Sequence, residues 1–554
     1  MNITVNKINC ELVEGKTIIE YARELGLDSV ELSKKPLAAM IGGKIFNLGY
    51  APKHECDVRL VGFSSEFGKR VYDSTLEFVL MLAMRKLFPK HRAVVQYPLG
   101  EGVYIHINGE TPLDDDDVAR LKSEMRAIVD RAYHFVRRRL DIKDALEFFD
   151  RDGQTDKVKL LKWRKFNYFD TYSCPEYSDY MDYYYGELAP NSGYVNVFDL
   201  HRLGDALVML LPSREDPSKP AKYRESPSML AVFAQTDEWG RLMTASTVNE
   251  LNRRVEDGSI RELVRVNEAL HEKNYSRIAD EIIKKGAKAI MIAGPSSSGK
   301  TTSANRIATQ LRADGLDPIM LSLDDYYIDR DKMERDENGE LDLEHINALD
   351  TDRFVKDLRI LLSGGEAEIP QFSFITQRRE GYVPLKLSKD QPLIIEGIHG
   401  LNPLMLGDID PKSVFRIYVS ALPTMNIDDH NRIHTSDLRL LRRLVRDHAN
   451  RGASMEHTIG MWPSVRRGET RWIFPYQENA DRIINTTLHY ELSVMKKYIY
   501  PLLLEVPQQS EHYCAARAIV KYLNYVLEAD IEDEIPPTSV IREFIGGNTF
   551  YRKD

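Results

Sequence analysis

Residues 287 to 315, AKAIMIAGPSSSGKTTSANRIATQLRADG, restrict the fold more than any other stretch of the 554-residue chain. AKAIMIAG is an apolar run of strand length. GPSSSGKTT follows at once, and the residues after it keep helical spacing as far as Gly315. Strand, Gly-rich loop and helix, in that order, form the context in which backbone N–H groups cradle phosphate. Gly294 and Gly299 let the loop turn its N–H groups inward around Ser296, Ser297 and Ser298, and the helix N-terminus adds the positive end of a dipole. Lys300 is expected to reach the β- and γ-phosphates, Thr301 to hold Mg2+, and Thr302 to complete the nucleotide contacts of the first turn. The loop alone leaves the fate of the phosphate open: water, a small acceptor, or a switch that transfers nothing.

The residues downstream alternate between apolar strands and helices, which predicts a parallel α/β sheet with its ligand crevice at the C-terminal strand ends. DPIMLSL (317–323) ends in Asp324 and Asp325. A carboxylate there lies near the terminal phosphate and can take the proton of an acceptor hydroxyl, with Asp324 favoured over Asp325 and a turn or cap as the plain reading of either. QPLIIEG (391–397) ends its strand at Glu396, a candidate Mg2+ ligand or a structural acid. In DLRLLRRLVRDHANRG (437–452), Arg439, Arg442, Arg443, Arg446 and Arg451 recur at helical spacing. Arginines can close over phosphates as part of a lid, and they can equally form i,i+4 pairs on a solvated helix. Arg446, in a catalytic role, and Arg451, as a nucleotide contact, are the two taken forward.

Composition narrows the function classes. The net charge is −10, against a general nucleic-acid coat. Four widely separated cysteines suit a reducing compartment and no disulfide framework. MNITVNKINCELVEG lacks the basic and apolar regions of a signal peptide, and no apolar run reaches membrane length, so a cytoplasmic chain with no membrane partner is expected.

Residues 1–62 read as short alternating strands around one helical piece. EFGKRVYDSTLEFVLMLAMRKLFP (66–89) reads as a long amphipathic helix, and the segment from Thr111 to Arg139 as a second helix carrying arginines at its end. PSREDPSKPAKYRESPS (212–228) reads as a loop, 246–285 as a helical connector, and the residues after 488 as helical. The tyrosine-rich TYSCPEYSDYMDYYYG (171–186) reads as packing.

GPSSSGKTT, LSLDDYY, LIIEGIHGLN and DLRLLRRLVRDHANRG, in this order and followed by RWIFPYQENADRIINTT, resemble the uridine kinase and phosphoribulokinase family of P-loop kinases over about 287–490. The resemblance implies a five-stranded parallel sheet and transfer of a phosphoryl group from ATP or GTP, with Mg2+, to a ribose-type hydroxyl. It casts Asp324 as the base, Tyr327 as a wall of the acceptor pocket, Glu396 as a helper of Mg2+, and Arg446 and Arg451 as lid residues. The family's nucleoside-reading stretch, P-x-Y-D-F-x-x-H-x-R, reads PQFSFITQRR here. Phe372, Phe374 and Arg379 persist, Ser373 and Gln377 replace the Asp and the His, and Arg378 is extra. Phe372, Phe374, Gln377 and Arg379 together with Tyr327 are the expected substrate contacts.

The N-terminal half carries a second resemblance. Residues 1–62 look like a TGS domain of β-grasp type, and EFGKRVYDSTLEFVLMLAMRKLFP, EGVYIHI and SCPEYS resemble the editing-type domain of threonyl-tRNA synthetases. The pattern H-x-x-x-H with C-x-x-x-H reads Ser74, Phe78, Cys174 and Ser178 here, so neither editing hydrolysis nor zinc is expected. The expected architecture is therefore a β-grasp unit (1–62), an α+β editing-like unit (63–212), a linker and helical connector (213–285), an α/β P-loop kinase unit (286–490) and a helical C-terminal region (491–554). The leading functional expectation is an ATP- and Mg2+-dependent nucleoside kinase. A nucleotide-gated RNA- or translation-associated regulator and a sugar-phosphate kinase stand as rivals. RNA docking has only Arg137, Arg138 and Arg139 to recommend it, and assembly into an oligomer is left open.

Overall fold

The computed structural model describes residues 2–163, 167–333, 335, 342–373 and 376–551. Phe374 lies outside them.

The first sheet has five strands: Asn2–Val5, Ile8–Glu11, Pro36–Ile41, Lys44–Phe46 and Asp57–Gly62. The first and last pair in parallel at the centre, flanked by two antiparallel hairpin partners. Helix Ile18–Glu24 opens at a capping box, in which Thr17 and Glu20 satisfy each other's backbone N–H groups, and it buries Ile18, Ile19, Tyr21 and Ala22. This is the β-grasp arrangement.

Helix Glu66–Leu87 follows, capped by Ser65, whose hydroxyl accepts from the Gly68 N–H at 3.0 Å. Its apolar face shares one core with the first sheet and with the four-stranded antiparallel sheet that contains Arg92–Leu99 and Gly102–Asn108. Asp114 caps helix Asp115–Asp130. The helix stops there, and Arg137, Arg138 and Arg139 lie on strand Val136–Asp141, a departure from the single long helix expected. Four exposed positions in a row on that strand leave no helical stripe for the periodicity to report.

Helix Ile260–Lys285 is more than a connector. Tyr275, Ile278, Ala279 and Ile282 are buried in the same core as Ile290, Ile292, Ala304 and Ile307, so the helix forms part of a layer over the next sheet. That sheet is parallel and five-stranded, in the order Ile319–Ser322, Leu393–Glu396, Ala289–Ala293, Val414–Ser420, Arg482–Asn485. Its central strand is buried at every position, as two covered faces require. A second core covers the other face with Phe354, Leu358 and Leu361 of helix Thr351–Leu362.

The N-terminal half and the parallel-sheet unit are joined through buried polar groups. Asn426 donates to the Val95 carbonyl at 2.8 Å, and Asn431 donates to that of Tyr183 at 2.9 Å. Lys157 pairs with Asp182 at 2.6 Å, and the His430 Nδ1 is 2.6 Å from the same carboxylate. The C-terminal helices Glu491–Glu505 and Tyr513–Leu523 share a core with Phe149 and Phe169 of the N-terminal half.

Candidate functional site

The loop Gly294–Gly299 joins the central strand to helix Lys300–Ala313. Two residues in the left-handed region shape it, Ser297 at φ 58° and Gly299 at φ 85°. Gly294 is required by contact, because a Cβ there would stand 1.9 Å from the Val419 carbonyl oxygen. The hydroxyls of Ser297 and Ser298 are buried with no hydrogen-bond partner among the described residues. Orphaned donors in a loop of this shape fit a phosphate chain, which would satisfy them. Lys300 folds over the loop, its Nζ 3.3 Å from the Pro295 carbonyl.

Acidic groups face the loop from the adjacent strand ends. Burial pushes the Glu396 carboxyl up to about 7; Lys300 pulls it back, while Asp324 and Glu543 add to the push. The nearby Thr301 hydroxyl favours the charged form of Glu396. Burial likewise raises Asp324, against the pull of Lys300 and Arg451, with Asp325 adding to the rise. The Asp324 N–H donates to the Ser322 hydroxyl at 3.2 Å, and that hydroxyl lies 3.5 Å from Glu396. One serine therefore ties the two strand ends together. The donor set of Thr301 and Glu396 suits Mg2+, which takes one or two protein oxygens and completes its shell from phosphates and water.

The arginines of helix Thr435–Arg451 divide differently from the expectation. Arg439 donates from Nε to the Ser296 carbonyl at 3.1 Å, and Arg443 donates from Nη1 to the Ser296 hydroxyl at 3.1 Å. Arg439 also pairs with the buried Glu469, whose carboxylate accepts from the Ser296 N–H at 3.2 Å. Arg446 bonds Asp447 at 2.9 Å, a carboxylate shared with Arg443 and, at 3.5 Å, with Arg451. The side chains that touch the loop are thus Arg439 and Arg443, one helical turn apart, while Arg446 braces its neighbour. Arg451 reaches the site as a charge felt by Asp324. Spacing alone could not separate them, because residues 439, 443 and 446 share a helix face. Glu344 and Glu469 also went unread in the sequence. Burial, with Glu469 nearby, pushes Glu344 up to about 7, while Arg443 and Lys300 oppose the shift.

The residues expected to contact the acceptor lie on and beside a hairpin, Glu366–Ser373 with Arg378–Lys386. The Tyr327 and Phe372 rings lie 5.6 Å apart, and the Tyr327 hydroxyl donates to the Leu343 carbonyl at 3.0 Å. Arg379 spends its guanidinium on the carbonyls of Tyr326 and Tyr327 and on Asp350, each at 3.0 Å. These three bonds tie it to the Tyr326–Tyr327 backbone and to Asp350. Gln377 sits at the turn with φ 56° and accepts from Arg330.

In the N-terminal half, Phe78 is fully buried and packs edge-on to Phe135 at 5.1 Å and on the Tyr180 ring at 5.9 Å. Cys174 is buried too, and burial pushes its thiol up to about 11. These positions hold apolar packing. Arg137 and Arg139 share Asp170, and Arg137 also pairs with Glu187 at 2.8 Å, so acids offset this basic run. No helix among the described residues is long and apolar enough to cross a membrane.

Comparison with known proteins agrees with this geometry. A family model described as Phosphoribulokinase / Uridine kinase family matches residues 289–493. A uridine kinase of Staphylococcus aureus strain JH9 is 33% identical over 201 residues, 36% of this chain and 88% of the kinase. A threonine–tRNA ligase of Symbiobacterium thermophilum is 28% identical over 190 residues, 34% of this chain, and the match extends over the N-terminal part. The chain spans only 28% of that ligase. A solved structure described as a possible uridine kinase from Bacillus stearothermophilus aligns over 38% of this chain and 98% of its own, at 19% identity and a TM-score of 0.27. With a relative one third identical and covered over most of its length, the chain belongs to the phosphoribulokinase / uridine kinase family.

Proposed function

We propose that the chain transfers the γ-phosphoryl group of ATP to a hydroxyl of a nucleoside or related ribose compound, within a unit spanning about 286–490. The observation that carries this reading is the meeting of Lys300, Asp324 and Glu396 around one phosphate loop. A switch that transfers nothing needs no carboxylate aimed at an acceptor.

Asp324 has the features of a general base. Burial raises its carboxyl above the ordinary carboxylate range, which strengthens it as a proton acceptor, while Lys300 and Arg451 favour the charged form. It takes the acceptor proton as the new O–P bond forms and the bond to the departing diphosphate oxygen breaks. Lys300 and the loop N–H groups meet the charge on the transferring group. Thr301 and Glu396 would hold Mg2+, which when bound would neutralise charge on the phosphate oxygens. Arg439 and Arg443 fix the loop from behind.

Arg379 is committed to backbone carbonyls and Asp350, and Arg378 is exposed on the hairpin. That favours an acceptor without a phosphate of its own. For the N-terminal half we propose a β-grasp unit to about 62 and an editing-like unit to about 212, without hydrolytic chemistry.

The test is a screen of the purified chain with ATP and Mg2+ against nucleosides, free sugars and sugar phosphates, with phosphorylated product read by mass spectrometry. Product from an uncharged ribose compound is the expected result. ATP consumption that responds to added RNA and to no small acceptor would sink the reading.

A further inference from the structure

The C-terminal residues 535–551 lie beyond the family match, yet they close directly on the phosphate loop. Val540 packs so near Gly299 that a Cβ on that glycine would meet its Cγ1 at 2.6 Å. Thr302 donates from its hydroxyl to Glu543 Oε2 at 2.7 Å, and Asn548 Nδ2 reaches the same hydroxyl at 3.4 Å. Thr302 is fully buried as a result.

The segment is a fixed wall. Val540, Ile541 and Phe544 have no exposed surface. Phe544 lies under the Arg442 guanidinium at 5.2 Å, and Arg442 in turn bonds Thr486 and Glu491. The Thr486 hydroxyl donates to the Ser298 carbonyl at 2.6 Å, so segment, strand end and loop are one connected structure. Arg542 and Thr549 bond back to the carbonyls of Ile535 and Pro537, closing the segment on itself.

Helix geometry decides what this wall faces. Successive side chains of the first turn point about 100° apart. Thr301 turns toward Glu396 and the strand ends where the terminal phosphate is handled, and Thr302 turns toward Glu543. A nucleoside triphosphate with its terminal phosphate among Lys300, Asp324 and Glu396 would run along the loop and bring its nucleoside end to the Thr302 side. An ionised carboxylate offers acceptors only and repels phosphate oxygens. Oε1 of Glu543 has no hydrogen-bond partner among the described residues. The donors a nucleoside brings to that side are the ribose hydroxyls and, on some bases, an amine. The hydroxyls stand nearest the phosphates by covalent connectivity, and a carboxylate is the ordinary partner of a ribose hydroxyl in nucleotide sites.

We propose that Glu543 accepts hydrogen bonds from the ribose hydroxyls of the phosphoryl donor, so that the C-terminal segment makes the site selective for ribonucleotides over deoxyribonucleotides. The proposal rests on the phosphoryl-transfer reading above, and it is tested by binding so that the two can fail separately.

The full-length chain is titrated with ATP, 2′-deoxy-ATP, 3′-deoxy-ATP and ITP in the presence of Mg2+, as wild type and as Glu543→Gln, with thermal melting to check that both are folded. Wild type is expected to bind at least one deoxy analogue about tenfold to a hundredfold more weakly than ATP, the range of a charge-assisted hydrogen bond. In Glu543→Gln that ratio should shrink to within about threefold, because a neutral amide oxygen is the weaker acceptor. A ratio is insensitive to a general loosening of the loop, which would weaken all four ligands together. Equal binding of ATP and both deoxy analogues by wild type overturns the proposal while leaving phosphoryl transfer intact. So does a uniform loss in Glu543→Gln, which marks Glu543 as a brace for Thr302 alone, or a change confined to the ATP-to-ITP ratio, which assigns it to the base. Absence of any nucleotide binding by wild type overturns the phosphoryl-transfer reading and this proposal together.

Discussion

Arg439 Nε donates to the Ser296 carbonyl at 3.1 Å, and through this bond a fully buried guanidinium holds the outside of the phosphate loop. The same side chain neutralises Glu469, which in turn accepts from the Ser296 N–H. Burial alone would raise the Glu469 carboxyl; Arg439 and Arg466 outweigh it and hold the group below its usual range. Both faces of one loop residue thus depend on one buried ion pair.

Arg439→Met leaves Glu469 buried with Arg466 as its remaining cationic partner among the described residues. Stability is expected to fall by about 3–5 kcal/mol, as when one member of a buried pair is lost. Denaturant unfolding measures it, and the double replacement Arg439→Met with Glu469→Met should recover most of the loss. An unchanged unfolding midpoint in the single variant would count against the pair as a structural element.

Lys300→Ala and Asp324→Asn separate the two halves of the proposed chemistry. Asp324→Asn should lower kcat by about 10²- to 10⁴-fold with nucleotide binding retained. Lys300→Ala should lower kcat by at least about 10²-fold and weaken nucleotide binding as well. Steady-state kinetics on the acceptor found by screening, with binding titrations alongside, would refute the scheme if Asp324→Asn turned over normally.

Glu396 links the site to pH. Its folded value of about 7 lies above the ordinary 4.5, so the protonated form is the one the fold favours. Its contribution to stability is fully present below about pH 4.5 and is lost as pH rises through about 7. The nucleotide-free chain should melt progressively lower between about pH 5 and 8, with Glu344, pushed up to about 7 in the same way, adding to the slope. Glu396→Gln should flatten part of that slope. A melting temperature that climbs over this window in wild type, and does not respond to the substitution, contradicts the assignment.

Gly294 and Gly299 should fail for different reasons. Gly294→Ala drives a methyl into the Val419 carbonyl and displaces the loop from the sheet. Gly299→Ala asks for a left-handed backbone, at about 1 kcal/mol, and also pushes on Val540. Pairing Gly299→Ala with Val540→Ala removes the contact and leaves the backbone cost, so nucleotide affinity should recover in part. No recovery would show that backbone strain is the whole effect.

The phosphate loop was legible because it is local. A buried strand, two special glycines and a helix start lie within thirty residues, and each has its own chemical signature. The positions of Asp324 and Glu396 were legible for a related reason: Glu396 ends one strand, Asp324 lies in the turn directly after another, and a parallel sheet brings such ends to one crevice. Phe372 and Tyr327, paired by the resemblance, lie with their rings 5.6 Å apart. The bonds of Arg379 to the Tyr326 and Tyr327 carbonyls were not legible, because no side-chain pattern records backbone partners.

The sequence by itself determined the parallel α/β unit, the β-grasp start and the strand–loop–helix form of the phosphate loop, all of which follow from hydrophobic period and residue type over short spans. Only the tertiary structure decided which arginines serve the loop, since Arg439, Arg443 and Arg446 share one helical face and differ only in what packs against it. It also decided that Glu543, more than two hundred residues beyond Thr302, lies against the first turn after the loop. That placement comes from the burial of Val540, Ile541 and Phe544, and burial fixes distances between residues that chain order leaves unrelated.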